Sequence, residues 1–309
     1  MYNSMNTRRQ ISRICWIYTA FLAVSTAVQL FLGALLEPFV LIFGQSRAFT
    51  RAALLVSEFA MYGIGFPLFA WLMGRIPSCE MQEKKKISLS QFLGLLVLCY
   101  GFTYLGNLLG GILMEAAGTL RGMDYSNPVA DLVDQMDLEM LVLTTVIIAP
   151  VMEELMFRKY LVERLVPYGQ KTAVLFSGLL FGLFHGNFYQ FFYAAILGAV
   201  FAWIYSSTGR LRYNIALHMC INFLGGVLPV VLSRAADSGN LFAYLGYGAL
   251  NLFAYVAMVI AVILFVSHYK RISWFSGWVY QEEPMGITCL KSPGFWVFLA
   301  GCILLFLFG

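Results

Sequence analysis

The run Ala149-Pro150-Val151-Met152-Glu153-Glu154-Leu155-Met156-Phe157-Arg158 sets two carboxylates side by side in an apolar stretch. An ionised side chain at the centre of a bilayer costs about 2.5–3.5 kcal/mol on insertion scales, so each needs a partner or a task. Glu154 and Arg158 stand four residues apart, share a helix face and can pair. Glu153 points about 100° away and has no partner on its own helix. A poorly solvated carboxylate without a cation beside it suits proton abstraction from water. The plainer alternative is a helix end that snorkels around one structural ion pair.

Two further segments supply groups that such a carboxylate could use. Phe181-Gly182-Leu183-Phe184-His185 closes a run that starts at Thr172. As a helix that run is only about 20 Å long, short of a full hydrocarbon core. The Gly186–Asn187 turn should therefore lie within the membrane, where irregular backbone is tolerated only against protein or a water-filled cavity. Gly178, Gly182 and Gly186 recur every four residues, a stripe that lets another helix approach closely. Leu217-His218-Met219-Cys220-Ile221-Asn222 places His218 and Asn222 on one face of a later helix. The chain has three histidines, and two of them fall in this set. One mismatch stands out: counted from Lys171, His185 lies about 21 Å deep, whereas Glu153 lies about 9 Å in from Lys159.

The elements that must carry these residues are membrane helices. Of the residues, 60% are apolar and 12% are charged, against about a quarter charged in soluble domains. Apolar stretches at 15–36, 52–73, 92–114, 138–157, 172–185 with 188–205, 213–233, 241–266 and 294–308 predict an all-α polytopic bundle of eight to nine transmembrane helices. The first reads as a retained anchor. The whole of 1–309 reads as a single transmembrane domain, with 138–233 as its catalytic core. Sixteen of the twenty Lys and Arg residues fall on one set of loops, which predicts a multi-pass protein of the cell membrane with a cytoplasmic N-terminus. The net charge of +4 thus reports topology, and no nucleic-acid partner is needed to explain it. The six cysteines form no CxxC pair and read as free thiols. A short amphipathic helix is expected from Asn127 to Met136, with Asp131 and Asp134 on its polar face.

The ordered triple of Glu153-Glu154-(three residues)-Arg158, Phe181-(three)-His185 and His218-(three)-Asn222 resembles the signature of the CAAX-processing and bacteriocin-processing membrane peptidases, over roughly residues 140–230. The resemblance implies glutamate-dependent endopeptidase chemistry on membrane-associated peptide or protein substrates, without a cofactor. In that scheme Glu153 is the base that activates water and His185 helps to hold or relay its proton. Glu154 and Arg158 orient the helix and tune the carboxylate, while His218 and Asn222 donate hydrogen bonds to the tetrahedral oxyanion. No metal is expected, although Glu153, His185 and His218 make a ligand set that one ion could use; HExxH and GxSxG are both absent. The competing class is non-enzymatic: a scaffold or immunity protein, or a transporter in which Glu58 relays protons. Nothing in the chain speaks to its oligomeric state.

Overall fold

Long apolar runs can satisfy their own backbone N–H and C=O groups in lipid only as helices. The structure, a computed structural model, describes residues 7–43, 46–81, 85–121, 127, 130, 132, 133, 136–279, 281 and 283–308. Among them there is no strand. The helices are α1 (Thr7–Phe43), α2 (Ala48–Met73), α3 (Leu89–Arg121), α4 (Leu138–Tyr168), α5 (Gln170–Phe184), α6 (Phe188–Thr208), α7 (Leu211–Asp237), α8 (Leu241–Arg271), α9 (Met285–Leu290) and α10 (Pro293–Phe308). Seven of them are long and apolar enough to cross a membrane, and α5 and α10 are shorter apolar helices. The polytopic all-α architecture read from the sequence is the one observed. Of the amphipathic helix expected from Asn127 to Met136, half the residues, Asp131 and Asp134 among them, lie outside the described residues.

The chain divides into two units. One comprises Met1–Ser78 and Val279–Leu304. In it Phe69 of α2 meets Tyr18 and Phe21 of α1 edge to face, at 5.0 and 5.8 Å between ring centres. Glu58 belongs to this unit. The other comprises Cys79–Trp278 and Leu305–Gly309, and contains every residue of the Glu/His set.

Within the second unit, α6 is gripped on two sides through glycines. A Cβ added to Gly178 would lie 2.7 Å from the Ala195 carbonyl oxygen, and one on Gly182 would lie 2.8 Å from that of Phe191. The partner of Gly178 and Gly182 is therefore α6, which folds back along α5, while Gly186 faces Leu305. From the α3 side, a Cβ on Gly106 would come within 2.3 Å of the Tyr193 backbone. The α5–α6 turn is built from three conformations. His185 ends α5, Gly186 takes a left-handed φ of 66°, and Asn187 caps α6 by accepting the Gln190 N–H at 2.9 Å. Only glycine enters the left-handed region freely.

Helix α4 departs from regular winding in two π-helical stretches and ends in a 3-10 turn at Val166–Tyr168. Val142–Ile148 and Leu155–Val162 are π-helical, a form found mostly as single turns near functional sites. The helix also continues well past Lys159, because its charges are partnered rather than released to solvent. Buried Glu163 receives Lys159 Nζ at 2.9 Å and the Tyr205 hydroxyl at 2.6 Å. This extension removes the depth mismatch. Glu153 lies 15 residues before Tyr168 and His185 lies 15 residues after Gln170, so both stand about 22 Å from the same turn.

Segments 79–81, 85–87, 159–171, 206–213 and 270–278 gather at one end of this unit. They are tied there by Cys79 N–H to Glu163 O, Lys85 N–H to Thr208 O and Gln170 N–H to Phe275 O, at 2.8–2.9 Å. Arg234, one of the four minority cations, instead donates to the carbonyls of Val133 and Met136 at 3.2 Å. Arg158, counted among the loop cations in the sequence, is fully buried.

Candidate active site

Adjacent residues on α4 meet different surroundings because the helix turns about 100° between them. Glu154 faces inward and is completely buried, as is Arg158 one turn later, and Arg158 Nε lies 3.0 Å from Glu154 Oε2. Removing two charges from water is costly unless they are paired and packed. Here the guanidinium also lies against two aromatic faces, 4.8 Å from the Phe181 ring centre and 5.4 Å from that of Phe201. Cation–π contact of this kind is stronger when desolvated. Glu153 faces the other way and keeps 17% of its side chain exposed, so it alone of the two carboxylates can meet water.

His218 of α7 reaches both glutamates. Its Nδ1 lies 3.0 Å from Glu154 Oε1, and its Nε2 lies 3.8 Å from Glu153 Oε2. Beside the Arg158-paired carboxylate Nδ1 is the donor, which leaves Nε2 toward Glu153 as a lone pair on a neutral ring and a second donor on a charged one. His185 is oriented in the same manner. Its Nδ1 lies 2.7 Å from the Phe181 carbonyl, an acceptor, so Nδ1 carries the proton and Nε2 is the free nitrogen. His185 stands within electrostatic reach of both Glu153 and His218. The Phe181 ring meets both imidazoles edge to face, at 4.9 and 6.0 Å between centres.

Asn222 has a role that its residue type alone does not reveal. In the π-helical stretch the Ala149 N–H reaches back five residues to the Thr144 carbonyl. The same register would give the Thr145 carbonyl to the N–H of residue 150, which is a proline and has none. Asn222 Nδ2 supplies the missing donor from α7 at 2.8 Å. In the second π-helical stretch, Ser177 of α5 likewise donates to the Phe157 carbonyl at 3.2 Å.

The structure thus brings Glu153, Glu154, Arg158 and His218 into one linked group, with His185 beside it and Asn222 holding the helices that carry it. Among the described residues no three His, Cys, Asp or Glu side chains converge as a metal-holding group. A polar chain that the sequence reading did not single out follows His185. Asn187 Nδ2 donates to Gln190 Oε1 at 2.8 Å, and Gln190 Nε2 donates to the Tyr193 hydroxyl at 2.7 Å. The signal was the three-residue spacing of Asn187, Gln190 and Tyr193 at the start of an otherwise apolar helix.

Residues 136–224 match the model of the Rce1-like family, described as type II CAAX prenyl endopeptidase Rce1-like. This segment is similar to an Rce1-like domain. It runs from just before α4 to the middle of α7 and contains Glu153, Glu154, Arg158, His185, His218 and Asn222. No curated protein and no solved structure matches the chain. That family is one of CAAX-type proteases, peptide hydrolases whose substrates are peptides or proteins, and the likeness covers the segment that holds the Glu/His group.

Proposed function

We propose that the protein is a glutamate-dependent endopeptidase in which Glu153 activates the hydrolytic water. The observation that carries this reading is the inequality of the paired glutamates. Glu154 is closed in by Arg158 and His218, whereas Glu153 is partly open and faces only the Nε2 side of His218.

The chemistry then runs as follows. The Glu153 carboxylate takes one proton of the water while His185 Nε2 accepts a hydrogen bond from the other. The water oxygen bonds to the scissile carbonyl carbon, whose oxygen becomes the oxyanion. His218 donates Nε2–H to that oxygen, and the second amide proton of Asn222 is available to it. Glu153 returns its proton to the leaving nitrogen as the C–N bond breaks. Each well-placed donor contributes around 3 kcal/mol to such a transition state in a water-poor site.

The substrates are membrane-associated or hydrophobic peptides that enter from the bilayer, and the enzyme sits in the cell membrane with its N-terminus in the cytoplasm. The basic residues gathered at one end of the second unit support that orientation. The test uses purified full-length protein in detergent with a panel of fluorogenic peptides, together with peptide-terminus profiling of membranes from wild-type and Glu153→Gln cells. Wild-type-only termini and cleavage are expected; equal cleavage by the variant overturns the assignment of the base.

A further inference from the structure

The chain Asn187–Gln190–Tyr193 has a direction. Asn187 Nδ2 donates to Gln190 Oε1 at 2.8 Å, which fixes the Gln190 amide with its nitrogen outward. That nitrogen donates to the Tyr193 oxygen at 2.7 Å. A phenol is both donor and acceptor, so a tyrosine whose oxygen accepts from Gln190 has its own proton left to give. The Tyr193 ring lies 6.2 Å from that of His185, at the edge of the Glu/His group. Two features hold it in place: Asn187 caps α6, and Gly106 of α3 lets that helix press on the Tyr193 backbone. Meanwhile one amide proton of Asn222 is committed to the Thr145 carbonyl.

We infer that Tyr193 is a further catalytic residue, whose hydroxyl, aligned by Gln190 and Asn187, donates a hydrogen bond to the scissile carbonyl oxygen as it becomes the oxyanion. No proton is transferred in this role. The bond strengthens as negative charge builds, so its loss should appear in kcat more than in KM. The inference rests on Glu153 being the base of the same site.

Direction is what the test exploits. In purified full-length protein with a cleaved fluorogenic peptide, Tyr193→Phe should lower kcat by about 10²–10³, with KM within a few-fold of wild type and unchanged thermal stability. Gln190→Met removes a donor but leaves the tyrosine proton free, so its loss should be under about tenfold. Gln190→Glu offers Tyr193 an acceptor in place of a donor and draws its proton away from the substrate. That variant should approach Tyr193→Phe, and the double variant Gln190→Glu/Tyr193→Phe should be no worse than Tyr193→Phe alone. Inactive Glu153→Gln alongside wild-type kcat in Tyr193→Phe overturns this inference and leaves the base standing. Active Glu153→Gln overturns the base instead. Equal mild losses in both Gln190 variants, or a Tyr193→Phe defect that tracks lost thermal stability, mark the hydroxyl as structural and refute its catalytic role.

Discussion

The Nδ1 of His218 lies 3.0 Å from Oε1 of Glu154, with both side chains buried. An imidazole anchored in this way presents its other nitrogen to Glu153 in a fixed direction. Replacing it leaves a buried carboxylate oxygen without that donor, a loss of about 1–3 kcal/mol. His218→Ala should therefore lower the thermal midpoint in detergent as well as slow turnover by about a hundredfold or more. A variant slowed that much with an unshifted midpoint would mean that the Glu154 contact contributes nothing to stability.

The two glutamates should separate stability from activity. Glu154→Gln leaves Arg158 buried without its carboxylate, and breaking a buried pair from one side costs about 3–5 kcal/mol. Glu153→Gln removes a partly open carboxylate and should shift stability by less than about 1 kcal/mol while abolishing turnover. Matched unfolding curves and peptide assays read both quantities. A stable, inactive Glu154→Gln beside an active Glu153→Gln reverses the roles.

Asn222 and Pro150 should be coupled. Asn222→Ala leaves the Thr145 carbonyl without its donor, at about 1–3 kcal/mol. Pro150→Ala restores a backbone N–H to α4, so the same asparagine substitution in that background should be milder. A double-mutant cycle on thermal stability should return a coupling of at least about 0.5 kcal/mol. Strict additivity would show that proline and amide act independently.

How much of this could be read from the chain depended on whether a signal was local. The i, i+4 pair of Glu154 and Arg158 and the four-residue spacing of Gly178 and Gly182 are signals along a single helix, and the pair and the close approach at those two glycines are found; Gly186, the third of the stripe, instead makes the turn. The length of α4 was not legible. Lys159, Glu163 and Arg164 look like a solvated loop until Tyr205, 42 residues later, closes over Glu163. Nor was it visible that His218 would serve both glutamates, because nothing in the spacing says which face of α7 meets α4. The commitment of Asn222 to a backbone carbonyl follows from a proline 72 residues earlier, and becomes apparent only once the π-helical register is known.

Gly186 should tolerate no side chain. Its φ is 66°, and an added Cβ would lie 2.9 Å from Leu305 Cβ. Left-handed backbone costs a non-glycine residue roughly 1–2 kcal/mol before any clash. Gly186→Ala should thus destabilise the protein by at least that amount and reduce activity, since the turn sets where His185 stands. Thermal unfolding beside Gly225→Ala, where a Cβ meets nothing within 4 Å, isolates the effect of the turn.

Cys79 offers a probe of orientation. Burial, and then the charges of Glu163 and Glu80, push its thiol above the ordinary 9.0. The thiolate is the reactive form, so maleimide labelling of a variant retaining only Cys79 should be slow at neutral pH. It should accelerate as pH rises through and beyond the range where a free peptide thiol has already levelled off. Labelling in sealed inverted vesicles but not in intact cells is expected from a cytoplasmic position; the opposite pattern would invert the topology.

The vacancy that Pro150 opens in α4 also works as a notch. A helix sliding along another usually exchanges one set of apolar contacts for a similar one, so greasy surfaces hold height poorly. Asn222 fits one carbonyl at one level, and a slip of α7 by a single turn, about 5.4 Å, would strand both the amide and the carbonyl in an apolar interior. His218 sits one turn from Asn222 on the same helix, so the detent that stops the slide also sets the imidazole level with the glutamates. A backbone defect thereby becomes the gauge mark from which the heights of the Glu/His group are measured.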